Sequence, residues 1–140
     1  MSNETTCTFS TSRRAAFIWT GRGLTGLAAA FFVMDGTMKL FQPQFVIDAT
    51  REIGWPTDSM TLAVLGVLLL ACTILYLIPR TAVLGAILLT GYLGGAVASH
   101  ARLGDPLSTH VLFGVYMGIF VWGGLWMRHP RIRALIPISQ

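Results

Sequence analysis

The sequence predicts an all-α membrane protein: a four-transmembrane-helix bundle with a short interfacial helix between its first and second spans. Three observations carry the prediction. The 140 residues are 54% hydrophobic and 11% charged, where soluble domains run to roughly 45–50% and about 25%. A single domain of this length lacks the interior to hide that much apolar surface from water, so lipid is its solvent. Four apolar runs, about 17–41, 60–78, 82–101 and 110–127, approach the roughly 20 residues that a helix needs to cross about 30 Å of hydrocarbon. Turn-forming residues separate the runs, and without water to satisfy exposed peptide groups each run is a helix.

Residues 1–16 are polar, rich in Ser and Thr, and end in Arg13-Arg14; they read as a disordered cytoplasmic tail. The apolar stretch after Arg14 continues to Phe41, too long for the core of a cleaved signal, so it reads as an uncleaved first span. The connection 42–59 contains FVIDATREI, whose Phe45, Val46, Ala49 and Ile53 share one helical face. That pattern predicts a short helix on the membrane surface, ended by Gly54-Trp55-Pro56. Pro79-Arg80 closes the second span, and the third starts at once, giving a tight antiparallel hairpin. Gly104-Asp105-Pro106 turns the chain into the fourth span, which His129-Pro130 ends. The bundle is thus expected over 17–128, followed by a basic cytoplasmic tail at 129–140.

Charge sets the orientation. With the termini and the 79–81 turn on one side, that side holds Arg13, Arg14, Arg22, Arg80, Arg128, Arg131 and Arg133, and the other holds Lys39, Arg51 and Arg102. The positive-inside rule then places both termini in the cytoplasm of a cytoplasmic (inner) membrane. Trp19 and Trp126 fall at the inner interface, as aromatic belts do. The net charge of +4 is spread beside apolar runs rather than gathered in a patch, which excludes nucleic acid as a partner and leaves the lipid bilayer.

Small residues recur at four-residue steps: Gly114 with Gly118, and Thr90, Gly94 and Ala98, with Gly23, Gly85, Gly91 and Gly95 beside them. Such faces let helices approach closely. They predict tight packing within one bundle, with a homodimer or a membrane-protein partner as the alternative use. Cys7 lies in the tail and Cys72 in an apolar run, without CxxC or metal-ligand spacing, so neither a disulfide framework nor a metal site is expected. No GxSxG, HExxH, phosphate loop or dinucleotide fingerprint occurs, and no catalytic residue can be named.

Polar residues inside the apolar runs are the candidates for function. Asp35 and Lys39 stand four residues apart on one face. Lys39 is near enough to the interface to reach water. Asp35 lies deeper, and a charge there costs at least about 2.5–3.5 kcal/mol, which marks it as functional unless it is one half of a structural ion pair. His100 and Arg102 end the third span and His110 starts the fourth. With Asp35, Lys39 and Tyr92, and with Asp105 and Glu52 nearby, they are expected to converge on one periplasm-facing pocket. Such a pocket suits a small polar head group or a quinone, with histidine as a proton carrier.

Residues 65–106, above all YLIPRT (Tyr76 to Thr81) and GYLGGAVASH (Gly91 to His100), resemble the DoxX-like family of small bacterial membrane proteins. The resemblance continues through the Lys39 end of the first span, Gly54-Trp55-Pro56 and the fourth span. It implies a left-handed four-helix bundle. It also implies a link to quinone-coupled thiosulfate oxidation and to redox-stress complexes, through which relatives are known. The family pattern carries a glutamate near Leu69, where this chain has leucine. The expected function is an accessory or binding subunit that holds a lipid-soluble small molecule or a partner; a quinone-linked oxidoreductase component is the alternative, and quinone the candidate cofactor.

Overall fold

The computed structural model describes residues 4–104 and 112–135. Helices α1 (Glu4–Phe41), α2 (Gln44–Glu52), α3 (Ser59–Leu77), α4 (Ala82–Leu103), α5 (Leu112–Arg128) and α6 (Pro130–Leu135) are the regular elements of these residues. α1 from Ala15, α3 and α4 are long and apolar enough to cross a membrane. α5 is equally apolar but has 17 residues, about 26 Å at 1.5 Å per residue. α1 starts at Glu4, so helical backbone continues through the stretch expected as a tail. Propagating an established helix costs far less than starting one.

The breaks fall where the sequence placed them. The connection after α1 turns at Gln42 and the one after α2 at Gly54, both with positive φ, 51° and 76°. Glycine takes that conformation freely, whereas a side chain such as that of Gln42 pays for it. Asp58 caps α3 by accepting from the Thr61 amide at 2.9 Å. That bond, with a second from the Thr61 hydroxyl, holds its carboxyl below the usual carboxylate range. Pro130 opens α6, a position where its missing N–H costs nothing. Within the basic tail expected from 129, α6 packs on α5 and places Ile132 in the core.

α1 packs against α3 and α5, and α4 packs against the same two helices. The four therefore form a ring with α1 facing α4 across its centre. At the end bearing the 78–81 turn, here the hairpin end, they meet around Tyr76, the largest fully buried side chain. Its hydroxyl donates to the Val121 carbonyl of α5 at 2.9 Å. The proton being committed there, the Thr25 hydroxyl of α1 donates to Tyr76 Oη at 3.1 Å. Gly85 of α4 lies flat on the backbone of Leu75 and Tyr76.

Glycine also sets the other crossings. A Cβ on Gly66 would stand 2.8 Å from the Gly36 carbonyl, and one on Gly124 would stand 2.6 Å from Thr25 Oγ1. On Gly114 it would meet Val97 Cγ2 at 2.7 Å. The small-residue faces read from the sequence are thus corrected in part: Gly85 and Gly114 make crossings, while Gly23, Gly91, Gly94, Gly95 and Gly118 have nothing within 4 Å of a Cβ. Four-residue recurrence shows where helices can approach, not which neighbour does.

Gly85→Ala should lower stability by about 1–3 kcal/mol or more, since backbone must move to admit the methyl group. Gly118→Ala should leave it unchanged or slightly raised. Thermal unfolding of the two variants in detergent checks the pair.

Candidate functional site

The opposite end, which carries α2, is built differently. There the four helices separate around a cavity of ≈ 370 Å³, within the range of small-molecule sites. Phe31 and Phe32 of α1, Leu65 and Leu69 of α3, Tyr92 to Val97 of α4 except Gly94, and Phe113 of α5 supply its walls. Thr50, Ile53 and Trp55 roof it. α2 turns Thr50 inward, with Val46 and Ile53 half-buried beside it, while Phe45 and Ala49 of the expected apolar face stay exposed. An exposed apolar stripe on a surface helix is what an interfacial helix turns toward lipid.

One edge of the cavity is polar. Lys39 Nζ stands 2.6 Å from both carboxylate oxygens of Asp35. Of the two uses the sequence left open, reaching water or pairing with the acid, the lysine makes the pair and is the more buried partner, 18% exposed against 34% for Asp35. In a low-dielectric setting an unpaired carboxylate costs more than the reach to water returns. Each charge cancels the other, so this edge offers hydrogen bonds without net charge. Tyr92 and His100, both half-buried, line the same cavity.

Asp35, Lys39, Tyr92 and His100 thus meet around one space, though α1 and α4 are diagonal partners. Arg102 lies outside it, where its Nη2 donates to the Ile53 carbonyl at 3.3 Å and ties α4 to the end of α2. Glu52 is exposed and away from the lining. His110 and Asp105 lie outside the described residues. The sequence reading missed the roof. Trp55 Nε1 donates to Ser99 Oγ at 3.0 Å, and Ser99 in turn donates to the Gly95 carbonyl at 2.9 Å. An indole directly after a helix-ending glycine was the available signal, because a Trp in a turn usually needs a partner for its N–H. Phe31 and Phe113, 5.2 Å apart and edge to face, were hidden among other apolar residues.

Fold and cavity together define a class: a small integral membrane protein whose helical bundle encloses an apolar space beneath a surface helix. The chain belongs to the DoxX-like family, which it matches over residues 23–124, a stretch containing every residue that lines the cavity. No curated protein and no solved structure gives a significant match. Leu69, near the position where the family resemblance implies a glutamate, is fully buried and part of the cavity wall.

Asp35→Leu and Lys39→Leu should each destabilise the bundle by about 1–3 kcal/mol, because each strands a half-buried partner. The double variant should recover most of that loss. A double-mutant cycle on thermal unfolding in detergent measures the coupling, and simple additivity would mean that the pair is not formed.

Proposed function

We propose that this protein is an accessory or binding subunit of a cytoplasmic (inner) membrane, crossing it four times with both termini in the cytoplasm. It holds a lipid-soluble small molecule in the cavity beneath α2, on the periplasmic side. α5, with its continuation α6, supplies the fourth span. Arginines at the hairpin end support the orientation: Arg22 stacks on Trp19 with its guanidinium 5.2 Å from the ring centre, a pairing suited to a membrane interface.

The single observation that carries the reading is the composition of the cavity. Its walls are mostly aliphatic and aromatic, and a few polar groups, the Asp35–Lys39 pair with Tyr92 and His100 among them, share the lining. Ligand sites combine an apolar body with a few placed polar groups in this way. Leucine at 69 leaves the wall without the acid implied by the family resemblance, which favours binding over chemistry at that point.

A quinone-linked redox component is the second reading, favoured by the rings of Phe31, Tyr92, Trp55 and Phe113 around the space. A flat ring stacks well on such surfaces. In either reading Tyr92 and His100 position a head group.

Mass spectrometry of the protein released intact from detergent micelles tests the proposal. A small apolar molecule should remain bound to the wild type and be lost from Leu69→Trp, which fills the cavity. Tyr92→Leu with His100→Ala should reduce its occupancy by about tenfold, the equivalent of about 1.4 kcal/mol. Equal occupancy in all variants would place the molecule elsewhere. Recovery of a quinone would select the second reading.

A further inference from the structure

The flank of α4 remote from α5 changes character along its length. α4 meets α5 through Thr90, which accepts from Trp122 Nε1 at 2.9 Å, and through Leu93 and Val97 beside Gly114. Leu84, Leu88, Gly91 and Gly95 recur at helical spacing on a different flank. Leu84 and Leu88 project from it, exposed. At the level of the cavity both positions become glycine. Gly91 and Gly95 line the cavity, are themselves exposed, and would meet nothing within 4 Å if they carried a Cβ.

A wall that is both cavity lining and outer surface is a mouth. α3 and α4 touch backbone to backbone at Gly85 and Tyr76 and are joined by the 78–81 turn, whereas a Cβ on Gly91 or Gly95, further toward the α2 end, would meet no atom of α3 within 4 Å. The opening between them is bounded on the α3 side by Leu65, which lines the cavity, with Leu68 exposed beyond it. Above it, the Trp55–Ser99 hydrogen bond crosses from the connection to α4 like a lintel. The roof is tied down by this bond and by Arg102 on the Ile53 carbonyl. The side stands open at a depth where both flanking helices are apolar.

We propose that the cavity is loaded sideways from the bilayer, through the α3–α4 opening at Gly91 and Gly95, by a chain-bearing amphiphile with an uncharged, hydrogen-bonding head group. This rests on the cavity being a binding site and adds its entrance and ligand class. The chain follows from the mouth: two glycines one turn apart leave a groove one side chain deep that continues into hydrocarbon. The uncharged head follows from the polar edge. Asp35 and Lys39 satisfy each other's charge through two 2.6 Å contacts, so a charged head group would find no counter-ion in that pair. Hydroxyl or carbonyl oxygens can bond to the remaining Lys39 proton and to the Tyr92 hydroxyl without disturbing the pair.

The test uses the full-length protein in proteoliposomes with two photoreactive probes, a diazirine-bearing long-chain alcohol and the corresponding fatty acid. Labelled peptides are mapped after brief illumination. In the wild type the alcohol should label the peptides carrying Phe31, Trp55 and Tyr92, and the acid should label them far less. A Cβ at Gly91 or Gly95 would meet nothing within 4 Å, so Gly91→Leu and Gly95→Leu should both fold with unchanged thermal midpoints. Each should cut alcohol labelling of the cavity by about tenfold. Gly94→Leu, exposed but outside the lining, should label as the wild type does.

Undiminished labelling in both filled variants would overturn the lateral entrance while leaving the cavity as a site. Equal labelling by acid and alcohol would overturn the uncharged head group. No cavity labelling even in the wild type would defeat the binding reading itself. Chemical cross-linking provides the remaining check: a homodimer lost in Gly95→Leu would assign the glycines to a second copy's helix and overturn the proposal.

Discussion

The bundle depends on what Tyr76 does at its hairpin end. Lipid gives helices no hydrophobic reason to associate, so packing and interhelical hydrogen bonds must hold them. The Tyr76 hydroxyl receives from α1 and donates to α5, while α4 lays Gly85 on the Tyr76 backbone. One residue of α3 thereby fixes the positions of its three partners. Each such hydrogen bond contributes on average about 0.6 kcal/mol in membrane bundles. Their geometric effect is larger, since both bonds are satisfied only when α1, α3 and α5 share one register. The Arg128 guanidinium, 5.8 Å from the centre of the Tyr76 ring, adds a charge to the same node.

Close convergence at one end has a geometric counterpart at the other. α1 stays against α3 through Gly36 and Gly66, and α4 stays against α5 through Gly114, so two sides of the ring remain closed. The space between these pairs is what the aromatic residues and the Asp35–Lys39 pair line. α2 then serves as a roof because, between the neighbouring α1 and α3, it turns Thr50 toward that space, with Ile53 following it. The cavity is therefore a product of the fold's asymmetry and not a packing defect. Its polar edge sits where an ion pair costs least, near the end of the apolar segment.

Much of this was legible in the sequence because composition and helix breakers act locally. Pro79-Arg80, Gly54-Trp55-Pro56 and His129-Pro130 end helices whatever their neighbours do. The grouping of Asp35, Lys39 and His100 at one end followed from topology, a matter of counting spans. Rotational detail was not legible. Gly91, Gly94 and Gly95 look as much like packing residues as Gly85 does, and only the order of helices around the ring separates them. Arg102 lies at the expected end, yet its long side chain reaches a backbone carbonyl that no sequence pattern marks. Lys39 obeyed the pairing energy over its reach to water, a contest that depends on burial.

The two ends of the bundle also place unequal constraints on inheritance. Around Tyr76 even a methyl group on Gly85 meets backbone, which narrows the sequences that can build that end. Around the cavity, walls of Leu, Phe and Ile tolerate exchange among themselves at modest cost, and the Leu at 69 already departs from the pattern that the family resemblance implies. A lineage can therefore alter what the open end receives while the closed end keeps the architecture intact. Diversification in such a protein needs neither a new fold nor added length, only different side chains along the rim and walls of an existing cup.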